Sequence, residues 1–188
     1  ADVVKTGMLA SAPIVTAVVD AVAGRPLVVD PVGVSSSGQS PLTPEGLTLL
    51  RSQLLPLALV VTPNLAEVQA LTGFVVASSK DLLEAARRVH ALGPAWVLVK
   101  GGHLPGQPID LLTDGDDVHL LRAARADNRH THGTGCTLAS ALASFLAQGD
   151  PVPVAAGKAK DYVTGALAAG FALGAGIGPV DHGWRWRG

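Results

Sequence analysis

The chain has 188 residues, with 14 basic and 15 acidic side chains and a formal net charge of −1. A near-neutral chain without a basic block gives no electrostatic footing for nucleic acid or an anionic membrane surface. Hydrophobic residues make up 48% and aromatics only 4%, so the core must be Ala, Val and Leu, which suits a parallel sheet covered by helices on both faces.

Short apolar runs alternate with helical patterns from the start. Asp2-Val3-Val4 begins a strand ending near Thr6, and Ile14 to Val22 reads as a helix. Pro26 to Asp30 is a buried strand with a polar residue at its C-terminal end. Gly33 to Ser40, with four serines and two glycines, is either a plain surface loop or a mobile flap near a ligand. Thr43-Pro44-Glu45 combines an N-cap, a first-turn proline and a first-turn acid, so a helix is expected to about Leu54. Leu57 to Val61 reads as a second buried strand, and Asn64 to Leu71 as a short helix closed by Gly73. Ser79 is expected to cap a helix to about Leu92, stopped by Gly93-Pro94. Trp96 to Val99 is a third buried strand. Ile109 to Thr113 and Val118 to Leu121 flank the turn Asp114-Gly115-Asp116-Asp117, as in an antiparallel pair. Gly133 opens a long helix to about Ala147, and Val152 to Ala172 is the last helix.

This alternation predicts an α/β fold: a doubly wound, mostly parallel sheet with helices on both faces. No repeat and no second domain is visible. The chain enters its first strand almost at Ala1, so residues 1–188 are expected to form one incomplete domain lacking its N-terminal strands. No basic-then-apolar leader opens the chain. Tyr162 to Val180 carries no charge, but its Gly and Ala content reads as a buried helix and a glycine-rich turn rather than a membrane span. The single cysteine, Cys136, excludes an internal disulfide and a thiolate zinc site, and fits a reducing cytoplasm.

Three segments carry the chemistry. Gly133-Thr134-Gly135-Cys136 sets two glycines at the start of an apolar helix, where free N–H groups and the helix dipole favour an oxyanion or phosphate. Cys136 falls in the first turn, a setting that favours a thiolate able to accept a hydroxyl proton. Equally, these four residues can be a glycine cap followed by a buried cysteine. Asn64 and Glu67 lie three apart at a helix start and so on one face. Magnesium prefers few carboxylates and several waters, although Asn64 alone reads first as an N-cap. Lys100, at a strand end before Gly101-Gly102, can reach phosphates or simply be solvated.

With its flanks, the segment His130-Thr131-His132-Gly133-Thr134-Gly135-Cys136 resembles the Asn-Thr-His-Gly-Thr-Gly-Cys signature of hydroxymethylpyrimidine/phosphomethylpyrimidine kinases, in the ribokinase-like superfamily. His130 departs from the usual Asn. Lys5-Thr6-Gly7-Met8-Leu9, Asp30-Pro31-Val32, Thr62-Pro63-Asn64-Leu65-Ala66-Glu67, Val99-Lys100-Gly101-Gly102-His103 and Gly176 to His182 are similar to further segments of that family. Gly33 stands where the family often has Met.

The resemblance implies a cytoplasmic enzyme that phosphorylates 4-amino-5-hydroxymethyl-2-methylpyrimidine and its monophosphate with ATP and Mg²⁺ in thiamine biosynthesis. It implies a small-molecule substrate, no nucleic-acid or membrane partner, and a homodimer. Cys136 would be the base, with Gly133, Thr134 and Gly135 in the anion cradle. Asp30, Asn64 and Glu67 would organise magnesium. Lys100, Lys160, Asn64 and Thr134 would serve the nucleotide, and Met8 and Val32 would meet the pyrimidine. The rivals are a pyridoxal kinase of the same superfamily and a non-catalytic metabolite-binding remnant.

Overall fold

The computed structural model describes residues 1–22, 24–33 and 42–187. Of the expected flap, positions 34–40 lie outside the described residues. A six-stranded sheet runs in chain order, β1 (Val4–Thr6), β2 (Leu27–Val29), β3 (Val60–Val61), β4 (Trp96–Val99), β5 (Ile109–Thr113) and β6 (Val118–Arg122). Strands β1 to β4 are parallel, β5 runs antiparallel to β4, and β6 runs antiparallel to β5 across the short turn at Asp114.

Alternation along the strands builds two cores. Leu27, Val29, Val61, Val97, Val99 and Leu111 face one layer, with α1 (Ala12–Val22), α2 (Pro44–Leu49), α3 (Leu65–Thr72) and α4 (Leu82–His90). Val28, Val60, Leu98 and Leu112 face the opposite layer, formed by α5 (Thr134–Ala147) and α6 (Val152–Ala168). Successive side chains of a strand point to opposite faces, so uninterrupted Val/Leu runs are what a sheet covered on both sides demands. Among the described residues, every buried hydrophobic side chain is Ala, Val or Leu, the composition expected from so few aromatics.

Local signals set most boundaries. Thr43 Oγ1 accepts the Gly46 N–H at 3.1 Å, the expected cap of α2. The α-helix closes at Leu49 and continues as a wide turn, Leu50–Leu54, then a tight one, Leu55–Leu57. Leu57 therefore belongs to that turn, not to β3 as the sequence suggests. Pro56 supplies no N–H for a ladder, and the strand proper begins after Leu59 N–H reaches Leu27 O at 2.8 Å. The cap before α4 is Ser78 rather than Ser79: the Asp81 carboxylate accepts the Ser78 N–H at 2.8 Å. The last helix stops at Ala168, short of Ala172, because Asn128 Nδ2 donates to Leu167 O at 3.1 Å and Gly170 O at 2.7 Å. No helix among the described residues is long and apolar enough to cross a membrane.

Leu142 is fully buried at the heart of the α5–α6 core. Leu142→Ala should cost about 2–5 kcal/mol, read as a lowered urea midpoint with an unchanged slope.

Candidate active site

The four parallel strands end at one edge, and the residues just beyond them are Gly7, Asp30, Thr62 and Lys100. Open α/β sheets bind ligands at this edge. The Lys100 ammonium is the hub. Its Nζ donates to Asp30 Oδ1 at 2.9 Å and lies 3.8 Å from Glu67 Oε2. Thr62 Oγ1 also donates to Asp30 Oδ1, at 3.2 Å. Asp30, Thr62 and Glu67 are buried. The start of α5 closes the group: a Cβ on Gly135 would stand 3.2 Å from Lys100 Nζ. Any side chain there would therefore crowd the ammonium.

Burial disfavours the charge of Lys100, but the Asp30 and Glu67 carboxylates outweigh it and hold the ammonium above its ordinary value. Cys136 acts on it in the same direction. Burial pushes the Glu67 carboxyl up from 4.5 to about 7, against the opposing pull of Lys100 and the Asn64 N–H.

Asn64 and Glu67 form a reciprocal cap at the start of α3. Glu67 N–H donates to Asn64 Oδ1 at 2.9 Å, and Asn64 N–H donates to Glu67 Oε2 at 2.7 Å. The capping role of Asn64 is thus realised, and its side-chain oxygen is already engaged. Among the described residues no three His, Cys, Asp or Glu side chains cluster closely enough to hold a metal. Two buried carboxylates around one ammonium instead fit an ion held mainly by phosphates and water, the usual way magnesium is bound.

Gly133 adopts φ 86°, the left-handed conformation that turns the chain into α5, and no side chain caps this end. The N–H groups of Gly135 and Cys136 lie in the first turn, which has no intrahelical acceptors. Thr134 corrects the expected cradle: its N–H goes to Thr131 O at 3.2 Å, and its hydroxyl donates to the same oxygen at 2.6 Å. Cys136 is exposed rather than packed as a small hydrophobe. With Gly133 it lines a cavity of about 620 Å³, whose other walls include Phe145, Tyr162, His182 and Arg185.

Met8 and Val32 follow the neighbouring strands β1 and β2, with Met8 63% exposed and Val32 half-buried. Lys160 is buried, and its ammonium pairs with Asp110 Oδ2 at 2.6 Å.

Two features were missed in the sequence. Asp110 looks like an ordinary strand residue, yet it is buried and paired. The segment before α5 is also braced by the C-terminal segment. Gly178 N–H donates to His130 Nδ1 at 2.9 Å, while His132 N–H donates to Gly178 O and Val180 N–H donates to His132 O, both at 3.1 Å, a strand-like bridge of His132 to Pro179. Position 130 needs an acceptor, a requirement met by His here and by Asn in the resembling signature.

The chain matches the model of the phosphomethylpyrimidine kinase family over residues 1–181. It is 61% identical over 183 residues to the hydroxymethylpyrimidine/phosphomethylpyrimidine kinase of Streptomyces coelicolor, a match covering 96% of this chain and 68% of that relative. The Bacillus subtilis pyridoxal kinase, solved as an ADP complex, superposes with a TM-score of 0.92 at 36% identity, covering 100% of this chain and 72% of that one. A phosphomethylpyrimidine kinase from Clostridium difficile superposes with a TM-score of 0.75 at 35% identity, covering 87% and 68%. The fold is that of a ribokinase-like small-molecule kinase, a six-stranded mixed sheet between two helical layers. Within that class, the chain belongs to the phosphomethylpyrimidine kinase family.

Gly178 is buried, so His130→Phe should strand its N–H and cost about 1–3 kcal/mol. His130→Asn should cost much less, and urea melts of the two variants check the difference.

Glu67 gives a pH-dependent outcome. Between its unfolded value of 4.5 and its folded value of about 7 the folded chain binds the extra proton. Stability therefore falls as pH rises through that window, by up to roughly 3 kcal/mol. Glu67→Gln keeps an oxygen acceptor and lacks the titration. It should gain on the parent between about pH 5 and about pH 8 in urea midpoints, and an equal difference at both would contradict the shift.

Proposed function

We propose that this chain transfers the γ-phosphoryl group of ATP to the hydroxymethyl oxygen of 4-amino-5-hydroxymethyl-2-methylpyrimidine, and phosphorylates the resulting monophosphate. The observation that carries the reading is the Lys100 ammonium standing between the Asp30 and Glu67 carboxylates and the first turn of α5. Relatives named as hydroxymethylpyrimidine/phosphomethylpyrimidine kinases support the substrate, and pyridoxal kinases solved with ADP or AMP-PCP support the nucleotide.

Phosphoryl transfer needs alignment and charge neutralisation more than covalent chemistry. The N–H groups of Gly133, Gly135 and Cys136 receive the charge that develops on the transferring group. Lys100 screens the phosphates from the opposite side. Cys136 Sγ takes the proton of the attacking hydroxyl, and the exposure of the sulfur on the cavity supports that role. Asp30 and Glu67 would hold Mg²⁺, with Asn64 orienting Glu67. When bound, the ion would supply charge neutralisation at the transferring phosphates. Met8 and Val32 would face the pyrimidine ring from the ends of β1 and β2.

The proposal extends to a homodimer and, given the lone thiol, a reducing cytoplasm. It also treats the chain as the nucleotide and catalytic part of one larger ribokinase-like domain. The second reading is pyridoxal phosphorylation, favoured by the superposition on pyridoxal kinases.

The test is ADP release by the full-length protein with the pyrimidine, its monophosphate and pyridoxal side by side. Higher kcat/KM on the pyrimidines is expected. Higher kcat/KM on pyridoxal would replace this reading with the second. Cys136→Ala should lower kcat by about a hundredfold or more while ATP affinity stays nearly unchanged; full turnover in that variant would remove Cys136 from the mechanism.

A further inference from the structure

Beyond the hub lies a second ion pair in which the proposed mechanism has no direct part. Asp110, in β5, and Lys160, in α6, are both buried and meet at 2.6 Å. Two charges withdrawn from water rarely gain stability by pairing, whereas removing one partner is costly. The pair therefore calls for a reason other than stability.

The other oxygen of the same carboxylate supplies one. Asp110 Oδ1 accepts the N–H of Gly101 at 3.0 Å, and Gly101 immediately follows Lys100. The Lys100 N–H itself donates to Pro63 O at 2.8 Å. The backbone on both sides of the hub lysine is thus tied, to Pro63 just after β3 on one side and to Asp110 on the other. The turn also lies directly on β5, since a Cβ on Gly101 would collide with Ile109 O. Lys160 neutralises the carboxylate that makes this tie.

We propose that Asp110 and Lys160 are a positioning pair: Asp110 fixes the Lys100–Gly101 turn through the Gly101 N–H, and Lys160 acts through Asp110 rather than on the nucleotide. This rests on the phosphoryl-transfer role proposed for Lys100.

The test uses three variants of the full-length protein. Lys160→Met leaves a buried unpaired carboxylate, and should lower thermal stability and turnover together. Asp110→Asn combined with Lys160→Met restores neutrality and keeps an acceptor for Gly101. It should recover stability, keep turnover within about tenfold of the parent and leave KM for ATP near the parent value. Asp110→Leu combined with Lys160→Met is neutral but has no acceptor; kcat should fall roughly ten- to a hundredfold, with KM for the pyrimidine little changed. The exchange rate of the Gly101 amide, followed by NMR, reads the tie without any turnover: slow in the parent and the Asn/Met protein, fast in the Leu/Met protein.

If the folded Asn/Met protein instead loses ATP affinity relative to the parent, Lys160 touches the nucleotide and the proposal fails. Parental kcat in a folded Leu/Met protein, or unchanged Gly101 exchange in it, would also overturn it. If the parent transfers no phosphoryl group at all, the functional reading fails, while the amide exchange still decides whether the tie exists.

Discussion

The structure turns on the Lys100 ammonium and the buried Asp30 carboxylate at 2.9 Å. Each would be costly alone in that position, and together they are not a strong source of stability. Their placement matters because a fixed positive charge is brought to the sheet edge where an anionic ligand would arrive. Glu67 and the start of α5 are arranged around the same charge, so the lysine is the point where β2, β3, β4 and α5 meet.

Ordinary packing delivers the hub to that place. Continuous Val and Leu runs let each parallel strand be buried on both sides, and the polar residues Asp30, Thr62 and Lys100 fall just past the strand ends. Gly133 turns the chain into α5 without a side-chain cap, which leaves the Gly135 and Cys136 N–H groups without intrahelical acceptors. The loop before it would be loose by itself. His130 and His132 tie it to the segment around Gly178, which explains why a C-terminal stretch with no chemistry of its own is bound up with the active edge.

Pyrimidine and pyridoxal kinases share this fold, and on the proposed function what they would share around the hub is phosphate charge, proton removal and a small anion cradle. None of these depends on the ring that carries the hydroxyl. On the proposed function, discrimination between the two substrates would fall to residues such as Met8 and Val32, which follow the neighbouring strands β1 and β2.

Much of this was legible in the chain. Apolar periodicity placed all six strands and six helices, and Thr43, Gly73 and Gly133 punctuated them as their chemistry predicts. Boundaries failed where a contact distant in sequence intervened, as Asn128 does at the end of α6. Motif residues were recognisable because their spacing is local: Asn64 with Glu67, Gly133 with Cys136.

What residue order by itself determined, then, is the alternating sheet-and-helix pattern, the composition of the core and the short motifs at strand ends and helix starts. Tertiary structure alone decided which charges meet. Asp30 and Lys100 are 70 positions apart, and Lys160 and Asp110 are 50 apart. No local rule couples such positions. A buried charge takes whichever partner the folded backbone brings within hydrogen-bond distance, and for Lys160 that partner was a carboxylate in the next layer.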